Sequence, residues 1–214
     1  FLALESRHAT ARTPIKDVFT LHRRSLLIAG GARVGSDVTY ALLIVFTITY
    51  VTTVLHLSRT SALTATMIGA ACNALAVPQF GALSDRIGRK PVYAAGAGLA
   101  IVWAFAYFEL MDTARPVLIG TAVAVGLLIH ASMYGPQAAF VAEQFPSRVR
   151  YAGASLASTI GGVVGGGFAP LIIAALYRSF RSTLPVSLYV SSALAVTLIA
   201  ICASAETAKA PLAD

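Results

Sequence analysis

Charge is what this chain has least of: 12% of its 214 residues are Asp, Glu, Lys or Arg, while 57% are hydrophobic and the mean hydropathy is +0.76. Soluble domains carry roughly 25% charged residues. A soluble fold of this length has no interior large enough to hide so much apolar surface. The scarcity therefore points to an integral membrane protein, with the lipid bilayer as its first partner. Cysteine is nearly absent too. Cys72 and Cys202 each lie inside an apolar run, where there is no loop to staple, and both read as packing residues. His8, His22, His56 and His130 share no metal-ligand spacing with one another or with the cysteines. Gly96-Ala97-Gly98 has no strand before it, so it is no dinucleotide fingerprint. Gly153-Ala154-Ser155-Leu156-Ala157 lacks the closing glycine of a nucleophile elbow. No metal or cofactor is expected, and the enzyme reading is set aside. A signal-peptide pattern is lacking as well: Phe1 to Arg24 is polar and mixed in charge, and with Phe rather than Met first the chain reads as a fragment.

The few charges present are placed between apolar runs. A net charge of +7 and a pI near 9.8 would in a soluble protein point to nucleic acid. Here the cations sit in loops, so they read as topology signals, and no nucleic-acid partner is expected. Gly81-Ala82-Leu83-Ser84-Asp85-Arg86-Ile87-Gly88-Arg89-Lys90-Pro91 is a charged hairpin between two such runs, Thr60 to Ser84 and Pro91 to Phe108, neither of which holds a charge. About 20 apolar residues suffice for a helix to cross a bilayer. The whole pattern predicts an all-α membrane protein with six spans: Ser25 to Leu55, Ser61 to Leu83, Pro91 to Glu109, Val117 to Ala142, Ala152 to Tyr177 and Leu184 to Ala203. A basic surface segment, residues 1–24 with Arg7, Arg12, Lys16, Arg23 and Arg24, precedes the bundle of residues 25–204, and a tail of residues 205–214 follows it. Roughly 11 of the 16 cations fall on the side of the hairpin and of both termini, which makes that side cytoplasmic. The fifth span repeats small residues at Gly153, Ala157, Gly161 and Gly165, so one of its faces is expected to pack closely on another helix.

Gly81-x-Leu83-x-Asp85-Arg86-x-Gly88-Arg89-Lys90 resembles the signature cytoplasmic loop of the major facilitator superfamily, which joins the second and third helices of each six-helix half. His130-x-x-x-Tyr134-Gly135-Pro136-Gln137-x-x-Phe140-x-x-Glu143-x-Phe145-x-x-Arg148-Val149-Arg150-Tyr151-x-Gly153-Ala154-Ser155 is similar to the stretch joining the tenth and eleventh helices in that superfamily's metabolite:proton symporter family. The resemblance implies transport of a small organic acid or zwitterion together with a proton. It also implies that this chain is the carboxyl-terminal half, two inverted three-helix repeats, whose partner is an amino-terminal six-helix half. The first helix of each triplet would line the central cavity. One departure stands out. Where the family's seventh helix carries a polar cluster like Arg followed by Glu-Asn, and its eighth often a Glu, this chain has Ser36-Asp37 and Asn73.

Polar residues inside the spans are the candidate substrate and proton pathway. Arg33, Asp37 and Tyr40 lie in the first span, Asn73 in the second, and His130, Tyr134 and Gln137 in the fourth, while the third and sixth hold little that is polar beyond Ser and Thr. That contrast predicts two cavity helices and two lipid-facing ones. Arg33 sits about 12 Å into its span at 1.5 Å per residue, and it either snorkels back to the headgroups or faces protein and water. Asp37, four residues on, shares its helix face. The two are either a permanent ion pair, or a substrate carboxylate site and a proton carrier competing for the same charges. His130 is either a neutral hydrogen-bonding residue or a proton-coupled one. Tyr134 and Gln137 either tie helices together or touch substrate. Glu143, Arg148 and Arg150, with Asp85, Arg86, Arg89 and Lys90, form a candidate cytoplasmic gate whose ion pairs would be made in only one state. The rival reading of the whole chain is a non-transporting six-helix membrane partner or a truncated half-transporter.

Overall fold

In hydrocarbon a backbone must satisfy its own hydrogen bonds, and each apolar run does so as a helix. The computed structural model describes residues 14–206. Arg7 and Arg12 of the basic segment and Lys209 of the tail lie outside the described residues. A short helix, Pro14–Leu21, precedes six spans: Arg23–Thr53, Arg59–Ile87, Arg89–Met111, Pro116–Glu143, Arg150–Phe180 and Leu184–Ala203. All six are long and apolar enough to cross a membrane, and the chain is a multi-pass membrane protein.

The spans reach further at their charged ends than hydropathy indicates. The second continues as helix through Asp85 and Arg86 to Ile87, and the third begins at Arg89, so the hairpin is a single residue, Gly88, at φ 116°. Only glycine adopts that backbone without strain. Gly81, Asp85 and Arg86 are thus helical rather than loop residues. Two spans carry a widened π-helical turn, Ala41–Phe46 in the first and Val163–Gly167 in the fifth. In the first, the Thr47 hydroxyl donates to the carbonyl of Leu43 at 2.6 Å, taking up an acceptor beside the turn. In the fifth, the turn coincides with Gly165-Gly166-Gly167.

The fourth span packs against the second and third, and the first against the fifth and sixth; the third touches the sixth and the first touches the fourth. Exchanging spans one to three for spans four to six maps this pattern onto itself. Because the first and fourth spans run in opposite directions, the architecture is two inverted three-helix repeats. The first and fourth are the most buried spans. The least buried are the second and fifth rather than the third and sixth expected from their lack of polar residues. The reason lies in the neighbours. The third and sixth brace each other across the repeat boundary and bury Tyr93, Tyr107, Phe108 and Leu194, while the second and fifth stand at the ends of the rows.

The small residues of the fifth span do the close packing expected of them. A Cβ at Gly161 would lie 2.8 Å from the carbonyl oxygen of Gly30, and one at Gly165 would lie 2.7 Å from that of Val34. Backbone on backbone leaves nothing that can rotate away. Gly165→Leu is therefore expected to destabilise the bundle by about 1–3 kcal/mol, as overpacking of a tight interface does. Thermal unfolding in detergent checks this, with Gly98→Leu, where a Cβ meets nothing within 4 Å, leaving the midpoint unchanged.

Candidate functional site: a polar centre and a charged clamp

The polar residues of the first span divide between two of its faces. On the face toward the fifth span, Arg33 grips Asp37: its Nε donates to Oδ2 at 3.2 Å, and its Nη2 to Oδ1 at 3.3 Å and to Oδ2 at 3.1 Å. Both side chains are largely buried, 23% and 14% exposed, so Arg33 does not snorkel. Room for the pair comes from Gly162, Gly165 and Gly166, where a Cβ would lie 3.9, 3.2 and 3.6 Å from Asp37 atoms.

On the adjacent face, Ser36 meets His130 of the fourth span, Oγ to Nε2, at 3.3 Å, and Asn73 of the second span meets its Nδ1 at 3.2 Å. The proton can be placed from the partners. Asn73 Nδ2 also donates to the Leu127 carbonyl at 2.7 Å, an oxygen that can only accept, so the amide presents its NH2 group to both. Nδ1 of His130 must then accept, and Nε2 carries the hydrogen and donates to Ser36. His130 is held as a neutral imidazole. Its ring lies 5.5 Å from that of Tyr134, nearly parallel, and 5.3 Å from that of Tyr40. This column leaves the two tyrosines half exposed. Gln137, buried, donates at 2.8 Å to the Tyr93 hydroxyl, which donates at 2.7 Å to the Ala32 carbonyl. Tyr93 was not legible as a site residue. A tyrosine near the hairpin end of an apolar span was the available signal, since a buried hydroxyl needs a partner.

A cavity of about 600 Å³ lies between the fourth and fifth spans on the hairpin side, with Arg33, Tyr134 and Gln137 at its inner end and Ser147, Arg150 and Tyr151 toward its mouth. Arg33 thus belongs both to the ion pair and to the cavity wall. Arg150, which sequence reasoning placed in a gate, lines this cavity, its Nε donating to the Phe145 carbonyl at 3.1 Å.

Of the candidate gate residues, Asp85 and Glu143 meet at Arg89. Its Nη1 donates to Asp85 and, at 2.9 Å, to Ser84 Oγ, and its Nη2 reaches Glu143 Oε1 at 3.3 Å. Arg86 and Arg148 are exposed at this face, and Gly81 packs under the Gly135 carbonyl, 3.6 Å from where a Cβ would stand. Asp85, the acid nearest in sequence, does not accept from the first backbone donors of the third span. Glu206, just past the sixth span, does so instead: Arg89 N donates to Oε1 at 2.9 Å and Lys90 N to Oε2 at 3.0 Å. A carboxylate is well placed there, at a helix amino terminus. Lys90 completes the clamp by donating Nζ to the Ser204 carbonyl at 2.5 Å. The sequence signal for Glu206 was slight: it is the first acid after the sixth apolar run.

Six apolar helices in two inverted triplets enclose a paired charge and a polar column at their centre, and a cavity reaches that centre from one face. The chain belongs to the Major Facilitator Superfamily, whose family model matches residues 30–212. Among curated proteins it is 28% identical to the inner membrane metabolite transport protein YhjE of Escherichia coli over 92% of this chain and 46% of that protein. It is 32% identical to a citrate-proton symporter of Klebsiella pneumoniae over 92% of this chain and 46% of that protein, and 29% identical to the proline/betaine transporter of Escherichia coli over 94% and 40%. The chain spans about half the length of the curated relatives it matches. No solved structure gives a significant match.

Two outcomes are expected of this site. In nitrogen-15 spectra of histidine-labelled protein at neutral pH, His130 shows a protonated Nε2 and a bare Nδ1. Asn73→Asp, which offers Nδ1 an acceptor, moves the proton to Nδ1 or yields an imidazolium. Glu206→Ala strips the cap of the third span, and the Gly88 turn becomes the first bond cut by limited proteolysis, with a loss of about 1 kcal/mol typical of a helix cap.

Proposed function

We propose that this chain is the carboxyl-terminal half of a proton-coupled symporter for a small organic acid, its hairpin face cytoplasmic, working with an amino-terminal six-helix half by alternating access. The observation that carries the proposal is the double membership of Arg33, bonded to Asp37 and lining the cavity. One guanidinium cannot hold two carboxylates equally well in a confined site. When Asp37 is ionised, Arg33 is neutralised by it. When Asp37 takes a proton, the guanidinium is freed for a substrate carboxylate entering the cavity. Both states leave the same net charge in the membrane, which is what makes each affordable there. A state with substrate but no proton would bury two anions on one cation, and a state with a proton but no substrate would leave a lone cation. Both are disfavoured, and that is the coupling.

In this scheme His130 is not the carrier. Its Nδ1 faces an NH2 group, and a second proton there would set donor against donor. It stacks on Tyr40 and Tyr134 and so positions Tyr134, which lines the cavity where substrate would sit. Arg150 at the cavity mouth attracts the anion from the cytoplasmic side. The charged clamp stands closed or open with the state of the two halves, since its ion pairs influence transport only if they differ between states.

The test is uptake of carboxylates into vesicles by the two halves together. Uptake collapses with an uncoupler, and Asp37→Asn lowers proton-driven accumulation by about tenfold or more, the scale on which losing a positioned proton carrier is felt. The same variant retains exchange of substrate down its own gradient. His130→Gln keeps the dependence on the proton gradient and alters the apparent affinity. Accumulation that persists in Asp37→Asn removes this residue from coupling.

A further inference from the structure

A second cavity, about 730 Å³, lies away from the polar centre along the first span between the fifth and sixth. Gly30 and Gly31 form its floor, Leu27, Val164 and Val196 its walls, and Phe19 and Arg23 its hairpin-side end. The distance along the helix from Arg23 to Val34 is about 16 Å at 1.5 Å per residue. That is close to the hydrocarbon depth of one leaflet, half of about 30 Å. The groove is apolar throughout except at its mouth. There Arg23 is exposed, with its Nε tied to the Phe19 carbonyl at 2.7 Å, so that the rest of the guanidinium stands free of the helix at the level of the headgroups. Lys16 and Arg24 lie within two turns of it, and Arg24 is anchored by donating Nη2 to the Ala203 carbonyl at 3.3 Å. The short helix Pro14–Leu21 closes the end of the groove, burying Val18 and leaving Ile15 and Phe19 exposed four residues apart on one face. Such a helix lies in the membrane interface with its apolar face toward the acyl chains.

We propose that this groove binds one anionic phospholipid of the hairpin-side leaflet, an acyl chain along Gly30 and Gly31 and the phosphate at Arg23. Charge complementarity selects the headgroup, because three cations meet one acid, Asp17, in this stretch. The length of the groove selects a chain rather than a compact apolar ligand. The bound lipid fills the space between the first span and its two neighbours and fastens the short helix to the bundle.

The experiment is native mass spectrometry of the chain in detergent, titrated with phosphatidylglycerol or with phosphatidylcholine of the same acyl chains. Retention of the first phosphatidylglycerol at a concentration roughly fivefold lower, about what one surface cation contributes, is expected. Arg23→Gln abolishes that preference. Val164→Trp, which fills the groove, lowers retention of both lipids, and should it fail to fold, Leu27→Trp at a position 75% exposed closes the same space. The proposal is overturned by equal retention of the two lipids in the unaltered chain, by an unchanged preference in Arg23→Gln, or by glycerol phosphate raising the unfolding temperature as much as the whole lipid does.

Discussion

A charged side chain at the centre of a bilayer costs about 2.5–3.5 kcal/mol on insertion scales, and this fold is arranged so that Arg33 and Asp37 cancel each other. They stand one helical turn apart, so the pair forms within a single span and does not depend on the docking of another. Everything packed on that face must then be small. The glycines of the fifth span opposite the pair supply that condition, and they also bring the two backbones into contact at Gly30 and Gly161. A larger side chain there would separate the spans and open the pair to lipid. The small-residue face of the fifth span and the charge on the first are thus one feature described from two sides.

The polar groups around His130 and Tyr93 are paired as well, with a division of labour. Asn73, Ser36 and His130 satisfy one another between three spans, and the chain from Gln137 through Tyr93 to the Ala32 carbonyl ties three spans again. Such bonds are worth little singly in a membrane; their effect is to fix rotation and depth, so that Arg33 and Tyr134 face the cavity. On the hairpin face the pairing is of another kind. Arg89 draws the ends of the second and fourth spans together, and Glu206 with Lys90 draws in the sixth. Spans from both repeats are therefore gathered at one face, while the cavity stays open beside them.

Much of this was legible in the sequence, for identifiable reasons. Six spans follow from hydropathy, since a hydrocarbon slab leaves a backbone no choice but helix. The importance of the first and fourth follows from Arg33, Asp37 and His130 being tolerated there at all. Helix ends were less legible, because charges mark where the membrane stops and not where the helix does; Asp85 and Arg86 are helical for that reason. The outer rank of the second and fifth spans was hidden, since exposure depends on neighbours brought together from distant parts of the chain. Glu206 and Tyr93 were missed on the same ground: each acts through a partner more than 50 residues away or on another span. The choice between an ion pair and a working site at Arg33 was open in the sequence, and the geometry shows the pair and the cavity wall to be one residue.

The central claim is that water reaches the polar centre from the hairpin face along the fourth and fifth spans. It is tested most directly by replacing Cys72 and Cys202 with serine, placing single cysteines at Tyr134, Ser155 and Leu99, and measuring their reaction with a membrane-impermeant thiol reagent applied to the hairpin face. The account predicts rapid labelling at positions 134 and 155, which border the cavity, and slow labelling at position 99 on the apolar outer surface. Equal rates at all three, or labelling at 99 alone, would contradict it.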